Sequence, residues 1–215
     1  MALLSTLQQP ILKLSELGER RGWDWLTYNP GIFAIFHIMA LRDGPKVTGA
    51  MQATFPEARS FADVGAGSGA YAALLRKAGM EVIACEHSPV GRRFASLQHV
   101  DSIPFDLTQE PPAHFDGTVD VAYSFEVGEH LPPALGTRMV RFLLELAPAV
   151  VFSSAQPGQD GQGHINLQPL SYWQREFEEA GATLDVERTE QFTASLRERE
   201  ASWWLPANAQ VFTRR

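Results

Sequence analysis

The chain has 215 residues, 45% of them hydrophobic and 20% charged, an ordinary globular mix that excludes disordered, collagen-like and coiled-coil classes. With 18 Lys and Arg against 25 Asp and Glu, the net charge is −7, so the surface has no general attraction for phosphate polymers and no nucleic-acid partner is expected. The single cysteine, Cys85, excludes a disulfide framework and any multi-cysteine metal site, and it fits a reducing, cytoplasmic compartment.

Residues 1–55 read as helical and form a first unit, an N-terminal cap; residues 56–215 form a second. The opening segment lacks the basic region and small-residue cleavage site of a signal peptide. Pro10 suits the first turn of a helix carrying Ile11, Leu12, Leu14 and Leu17. The stretch GWDWLTYNPG, Gly22 to Gly31, breaks the pattern, and Tyr28 and Asn29 within it are the cap residues placed best for a substrate contact. The longest apolar run, Ile32 to Leu41, is about half of the roughly 20 residues a membrane span needs. It reads as a buried helix, stopped by Arg42, Gly44 and Pro45, and no membrane partner is expected.

From residue 59 short apolar runs alternate with amphipathic ones. Strands are predicted at Ser60 to Val64, Glu81 to Cys85, Val119 to Ser124, Ala149 to Ser153, Thr183 to Glu187 and Gln210 to Arg214, with a weaker one near His99 to Ile103. Helices are predicted at Ala70 to Ala78, Val90 to Leu97, Ala134 to Leu146 and Pro169 to Ala180. This alternation implies an α/β fold, a Rossmann-like, mostly parallel sheet with helices on both faces. Ligands then bind beyond the carboxyl ends of the strands.

The strongest signal is FADVGAGSGAY, Phe61 to Tyr71, where Gly65, Gly67 and Gly69 follow a strand and precede a helix. Glycines let a ligand approach the backbone, and the helix N-terminus adds free N–H groups. Gly65, Gly67 and Ala70 also satisfy the dinucleotide fingerprint. Asp63 weighs against that reading. A carboxylate at the mouth of the loop attracts a ligand ammonium and repels a pyrophosphate. Glu86 lies 23 residues on, near the spacing at which an acid meets ribose hydroxyls. Asp106, in SIPFDLTQ, is the third acid after a strand; it is placed to accept from an exocyclic amine, with Phe105 or Leu107 over the ring.

The segments DVGAGSGAY, ACEHS, FDLTQ and FDGTVDVAYSFEVGEHLP together resemble the class I S-adenosylmethionine-dependent methyltransferases over about residues 59–155, and WWLPANAQVFTRR resembles the family's last helix-to-strand segment. The resemblance implies a seven-stranded sheet with an antiparallel last strand, and S-adenosylmethionine as cofactor. It implies that Asp63, Gly65 and Gly67 hold the methionine part, Glu86 the ribose and Asp106 the adenine amine. Phe125 and Glu126 would floor the cofactor near its methyl group, and residues 1–55 would cover the acceptor site.

Methyl transfer needs alignment first and a general base second. The six histidines are His37, His87, His99, His114, His130 and His164. His130 lies in EVGEHLPP beside Glu126. His164 lies in a long loop rich in Gly and side-chain amides, Ser153 to Pro169, and is the favoured base or acceptor anchor. Gln156 and Asn166 in that loop, and Trp173 after it, are candidate substrate contacts, and the polar lining favours a small polar acceptor. The sets Glu126, Glu129 and His130, and Asp160 with His164, have no spacing that demands a metal, so none is expected. LRERE, Leu196 to Glu200, reads as a solvated helix face. Apolar surface on the cap is able to pair two copies as a homodimer. The resulting expectation is methyl transfer to oxygen or nitrogen of a small polar metabolite or natural-product intermediate. The rival readings are an NAD-dependent oxidoreductase and a non-catalytic nucleoside-binding scaffold.

Overall fold

The computed structural model describes residues 2–109 and 119–215, so His114 lies outside the described residues. The strands are β1 (Ser60–Val64), β2 (Glu81–Glu86), β3 (Ser102–Pro104), β4 (Val121–Phe125), β5 (Ala149–Ser153), β6 (Ala182–Leu184) and β7 (Gln210–Arg214). They form one sheet in the order β3-β2-β1-β4-β5-β7-β6. β1 to β5 pair in parallel, and β7 runs antiparallel to both neighbours, β5 and β6. Continuous apolar runs suit such strands, because helices cover both faces: every residue of β5 is buried.

The helices are α1 (Ala2–Arg21), α2 (Asp24–Thr27), α3 (Pro30–Thr54), α4 (Ala70–Lys77), α5 (Pro89–Leu97), α6 (Pro133–Leu146), α7 (Leu170–Glu179), α8 (Val186–Glu198) and α9 (Trp204–Asn208). One core layer joins Phe61, Tyr123 and Val151 to Val47 and Met51 of α3, Leu75 of α4 and Phe192 of α8. The opposite layer joins Ala62, Val150 and Phe152 to Met139 and Leu143 of α6 and Trp173 and Phe177 of α7. The N-terminal helical segment is therefore rooted in the core of the sheet through α3. Among the described residues no helix is long and apolar enough to cross a membrane.

Several local expectations are corrected. Pro10 lies inside α1 rather than in its first turn. α3 does not stop at Gly44 and Pro45 but runs on to Thr54. Pro45 removes one intrahelical hydrogen bond, yet tertiary contacts hold the helix through it. Asp43 is buried, and its carboxylate accepts from the Ser202 backbone N–H (3.2 Å), the Ser202 hydroxyl (2.5 Å) and Lys46 (3.2 Å). A Cβ at Gly44 would stand 2.6 Å from Leu74 Cδ1, so glycine lets α4 pack close. Finally, the strand expected at Thr183 to Glu187 ends at Leu184, because Asp185 caps α8 by accepting from the Arg188 N–H at 2.9 Å. The solvated face foreseen at Leu196 to Glu200 is exposed at Arg197 to Glu200, while Leu196 turns into the core.

Candidate active site

The order of the sheet reverses between β1 and β4, and the loops after these two strands open on one cavity of about 420 Å³. Its near wall is the glycine loop. Gly65 has φ +79°, a left-handed value that glycine adopts without strain, and a Cβ there would meet Val127 at 2.6 Å. The loop is tied to β2, since the Gly65 and Ala66 N–H groups donate to the Cys85 carbonyl (2.9 and 3.0 Å). The Gly67 N–H donates to Glu86 Oε2 at 2.6 Å, and the Ser88 N–H donates to Oε1 at 2.7 Å. His37 of α3 reaches the same loop through Ser68 Oγ, 2.9 Å from its Nδ1.

Asp63, at the end of β1, is buried and lines the cavity. Burial pushes its carboxyl up to about 7; the Tyr123 hydroxyl opposes this, and the charge of Glu86 adds to it.

The far wall follows β4. Glu126 takes φ +54°, which turns the chain at the strand end. Its carboxylate accepts from Ser153 Oγ (2.7 Å) and from Asn208 Nδ2 at both oxygens (3.2 Å each). Burial, then the charge of Glu129, pushes it up to about 8. A 3-10 turn, Gly128–His130, follows. Glu129 is fully buried there; burial pushes it up to about 7, while Oε2 accepts from Ser154 Oγ at 3.0 Å. His130 Nδ1 lies 3.1 Å from the Gly163 carbonyl and 3.2 Å from the Tyr28 hydroxyl. His164 Nδ1 lies 2.9 Å from the Gln159 carbonyl. Burial lowers both histidines below the ordinary value of 6.5, so both are neutral at pH 7.

The cavity thus brings together Asp63, Gly65, Gly67, Phe125, Glu126, His130 and His164. The other residues singled out from sequence stand elsewhere. Glu86 backs the glycine loop, and Gly69 is the cap residue of α4. Asp106 closes its own turn by accepting from the Thr108 N–H (2.8 Å) and hydroxyl (2.7 Å), and those bonds hold its carboxyl below the usual range. Leu107 lines a smaller hollow beside α6. Tyr28 braces His130 from behind. Asn29 is the N-cap of α3, accepting from the Gly31 and Ile32 N–H groups and donating to the Leu26 carbonyl. Gln156 donates to the Ala207 carbonyl and to Asn208. Asn166 is buried and donates to the Gly128 carbonyl, and Trp173 is buried against Phe152. Tyr28, Asn29, Gln156, Asn166 and Trp173 hold the walls in place, because their polar or ring atoms are engaged within the protein.

Sequence reasoning missed Asn208, which joins Glu126 to Gln156 and Gln159. It also missed the wall formed by Phe36 and Met39 of α3 with Trp204 and Leu205 of α9. The only local signal for Asn208 was an amide just before the last strand.

Residues 62–148 match the sequence model of a methyltransferase domain. Solved structures share the fold across most of the chain. A sugar N-methyltransferase from Streptoalloteichus is 15% identical, with 80% of this chain and 87% of that chain covered and a TM-score of 0.60. A TehB-like S-adenosylmethionine-dependent methyltransferase from Corynebacterium glutamicum is 15% identical, with 87% and 100% covered and a TM-score of 0.63. An S-adenosylmethionine-bound amino pentose methyltransferase from Micromonospora echinaspora is 14% identical, with 81% and 91% covered and a TM-score of 0.59. No curated protein sequence matches the chain. The sheet order is that of the Rossmann-like fold, which the chain shares with these methyltransferases. The sequence match marks residues 62–148 as a methyltransferase domain.

Proposed function

We propose that this chain transfers the methyl group of S-adenosylmethionine to an oxygen or nitrogen of a small polar molecule, in a reducing, cytoplasmic setting. The observation that carries the reading is the continuity of one cavity from the buried acid Asp63 to Glu126, His130 and His164. Asp63 is suited to the cofactor's ammonium. Each oxygen of Glu86 accepts one backbone N–H and keeps a lone pair for a ribose hydroxyl. Gly65 and Gly67 leave the backbone open to the methionine part, Gly69 starts α4, and Phe125 floors the site. Asp106 and Leu107, in the loop after β3, are the residues assigned to the adenine end.

The bound cofactor supplies a methyl group on a sulfonium, which needs no further activation as a leaving group. The protein's part is to align the acceptor and exclude water, and alignment is worth roughly 7–11 kcal/mol. Phe36, Met39 and Trp204 close the apolar side of the cavity. Neutral His164, with His130 beside it, is able to take a proton from the acceptor, an effect typically of about 10²–10⁴-fold. The amide-rich loop after β5 favours a polar acceptor, and the similarity to sugar methyltransferases points the same way. The acidic charge favours a small acceptor over nucleic acid. Residues 1–55 act as the cap, and its exposed Leu14, Leu17 and Trp25 are the surface on which two copies would pair.

The test is calorimetric titration with S-adenosylmethionine, S-adenosylhomocysteine and NAD, followed by an acceptor screen with methyl-labelled donor. Tight binding of the two sulfur nucleosides and none of NAD is the expected result. Binding of NAD alone would overturn the assignment.

A further inference from the structure

We propose that Glu129, His130 and His164 bind a divalent first-row transition-metal ion at the acceptor end of the cavity. All three residues line the cavity, and one ligand atom from each lies within 4.8 Å of the other two. The spacing in sequence predicts no metal, because His164 comes 34 residues after His130 and on a different loop. The fold joins the two loops. The backbone N–H groups of Ile165 and Asn166 donate to the Glu129 carbonyl at 2.8 and 2.9 Å.

Glu129 supplies the independent observation. Its side chain is fully buried, and among the described residues Oε1 has no hydrogen-bond partner of good geometry. A buried carboxylate oxygen left without a donor is costly, and native proteins rarely tolerate one without a purpose. His164 Nε2 faces that oxygen at 4.0 Å, too far for a hydrogen bond. Bonds of about 2.0–2.2 Å to one shared ion would bring the two atoms slightly closer together.

The imidazoles are pre-set as ligands. His130 Nδ1 sits on the Gly163 carbonyl and His164 Nδ1 on the Gln159 carbonyl, which places the proton on Nδ1 and leaves Nε2 with its lone pair. Metal-binding histidines are ordinarily oriented by such outer bonds. The loop is glycine-rich for a related reason: a side chain at Gly161 would run into the His164 ring, and one at Gly163 into the Tyr28 hydroxyl.

Two imidazoles and one carboxylate suit ions from manganese to zinc better than magnesium or calcium, which prefer all-oxygen shells. Three protein ligands leave coordination positions open toward the cavity, where oxygens of an acceptor would complete the shell. With the ion present, His164 anchors it rather than accepting a proton. This use of the ion rests on the methyl-transfer reading; the binding itself does not.

The test uses the full chain, stripped with EDTA and then equilibrated with Zn²⁺ or Co²⁺, with Mg²⁺ as a control. Bound metal is counted by mass spectrometry, and Co²⁺ is also followed by its visible absorption. Wild type and the remote variant His87→Ala should hold about one Zn²⁺ or Co²⁺ per chain, while Glu129→Gln and His164→Ala should bind at least about tenfold more weakly. Circular dichroism checks folding; if Glu129→Gln is unfolded, the half-buried loop variant His164→Ala decides. A wild type that holds no ion in excess metal, or the same metal content in all folded variants, overturns the proposal. Titration of the same samples with S-adenosylmethionine separates the two readings. Cofactor binding without metal binding sinks the ion site alone, and metal binding without cofactor binding sinks the methyltransferase assignment alone.

Discussion

Replacing Asp63 by Asn should strengthen the unliganded fold and weaken binding of the methyl donor. Burial first, then the opposing Tyr123 hydroxyl and the reinforcing charge of Glu86, leave the carboxyl at about 7 against an ordinary 3.8. The folded state therefore holds this proton more tightly than the unfolded state does. The resulting stabilisation is complete below about pH 4 and is lost as the pH climbs to about 7. A shift of about three units is worth up to roughly 4 kcal/mol, of which about 2–3 kcal/mol falls between pH 5 and pH 8. The neutral, isosteric Asn escapes that loss. In urea unfolding, the stability gap between Asp63→Asn and wild type should widen by about 2–3 kcal/mol from pH 5 to pH 8. Donor affinity should move the other way. Loss of one charge-assisted hydrogen bond, about 1.5–3 kcal/mol, weakens binding about 10- to 150-fold. Wild-type affinity should itself fall below about pH 7, as Asp63 takes up its proton. A stability gap that does not change with pH, or an unchanged donor affinity, would refute the reasoning.

His164→Ala should bind S-adenosylmethionine like wild type and transfer methyl about 10²–10⁴-fold more slowly in a single-turnover assay; a wild-type rate removes His164 from the reaction. Asn208→Ala takes one donor from both oxygens of Glu126 and another from Gln159, so chemical unfolding should show a loss of about 1–3 kcal/mol. Gly128→Ala would set a Cβ 2.7 Å from the Trp173 ring, and a loss of about 1–3 kcal/mol should lower the melting temperature. Trp173→Phe should leave acceptor KM and donor affinity unchanged, because the ring is 1% exposed and belongs to the core; an altered KM would return it to the substrate site.

The elements legible from the chain alone were those whose signal is complete within a few residues. β1, β5 and β7 begin and end where their apolar runs do, since a strand buried on both faces needs no outside partner to be recognised. The glycine loop was legible for the same reason: Asp63, Gly65, Gly67 and the start of α4 lie within one short turn. Glu86 followed from the spacing of one βαβ unit. β6 was overextended because Val186 has strand character, and the Asp185 cap that starts α8 is equally local but weaker.

Composition, the sheet's alternation, the loop and the acid at the end of β2 are properties the sequence by itself determined. They depend on hydrogen bonds and periodicity a few residues long. Tertiary structure alone decided that α3 continues through Gly44 and Pro45, because the contacts that hold it come from α4 and Ser202. It also decided the far wall of the site. Glu126 meets Asn208 from 82 residues away, and Glu129 and His130 meet His164 from the loop after β5. Such meetings are set by how the parallel strands β4 and β5 end, and the antiparallel β7 begins, at one edge of the sheet. No pattern within either loop encodes the distance between them.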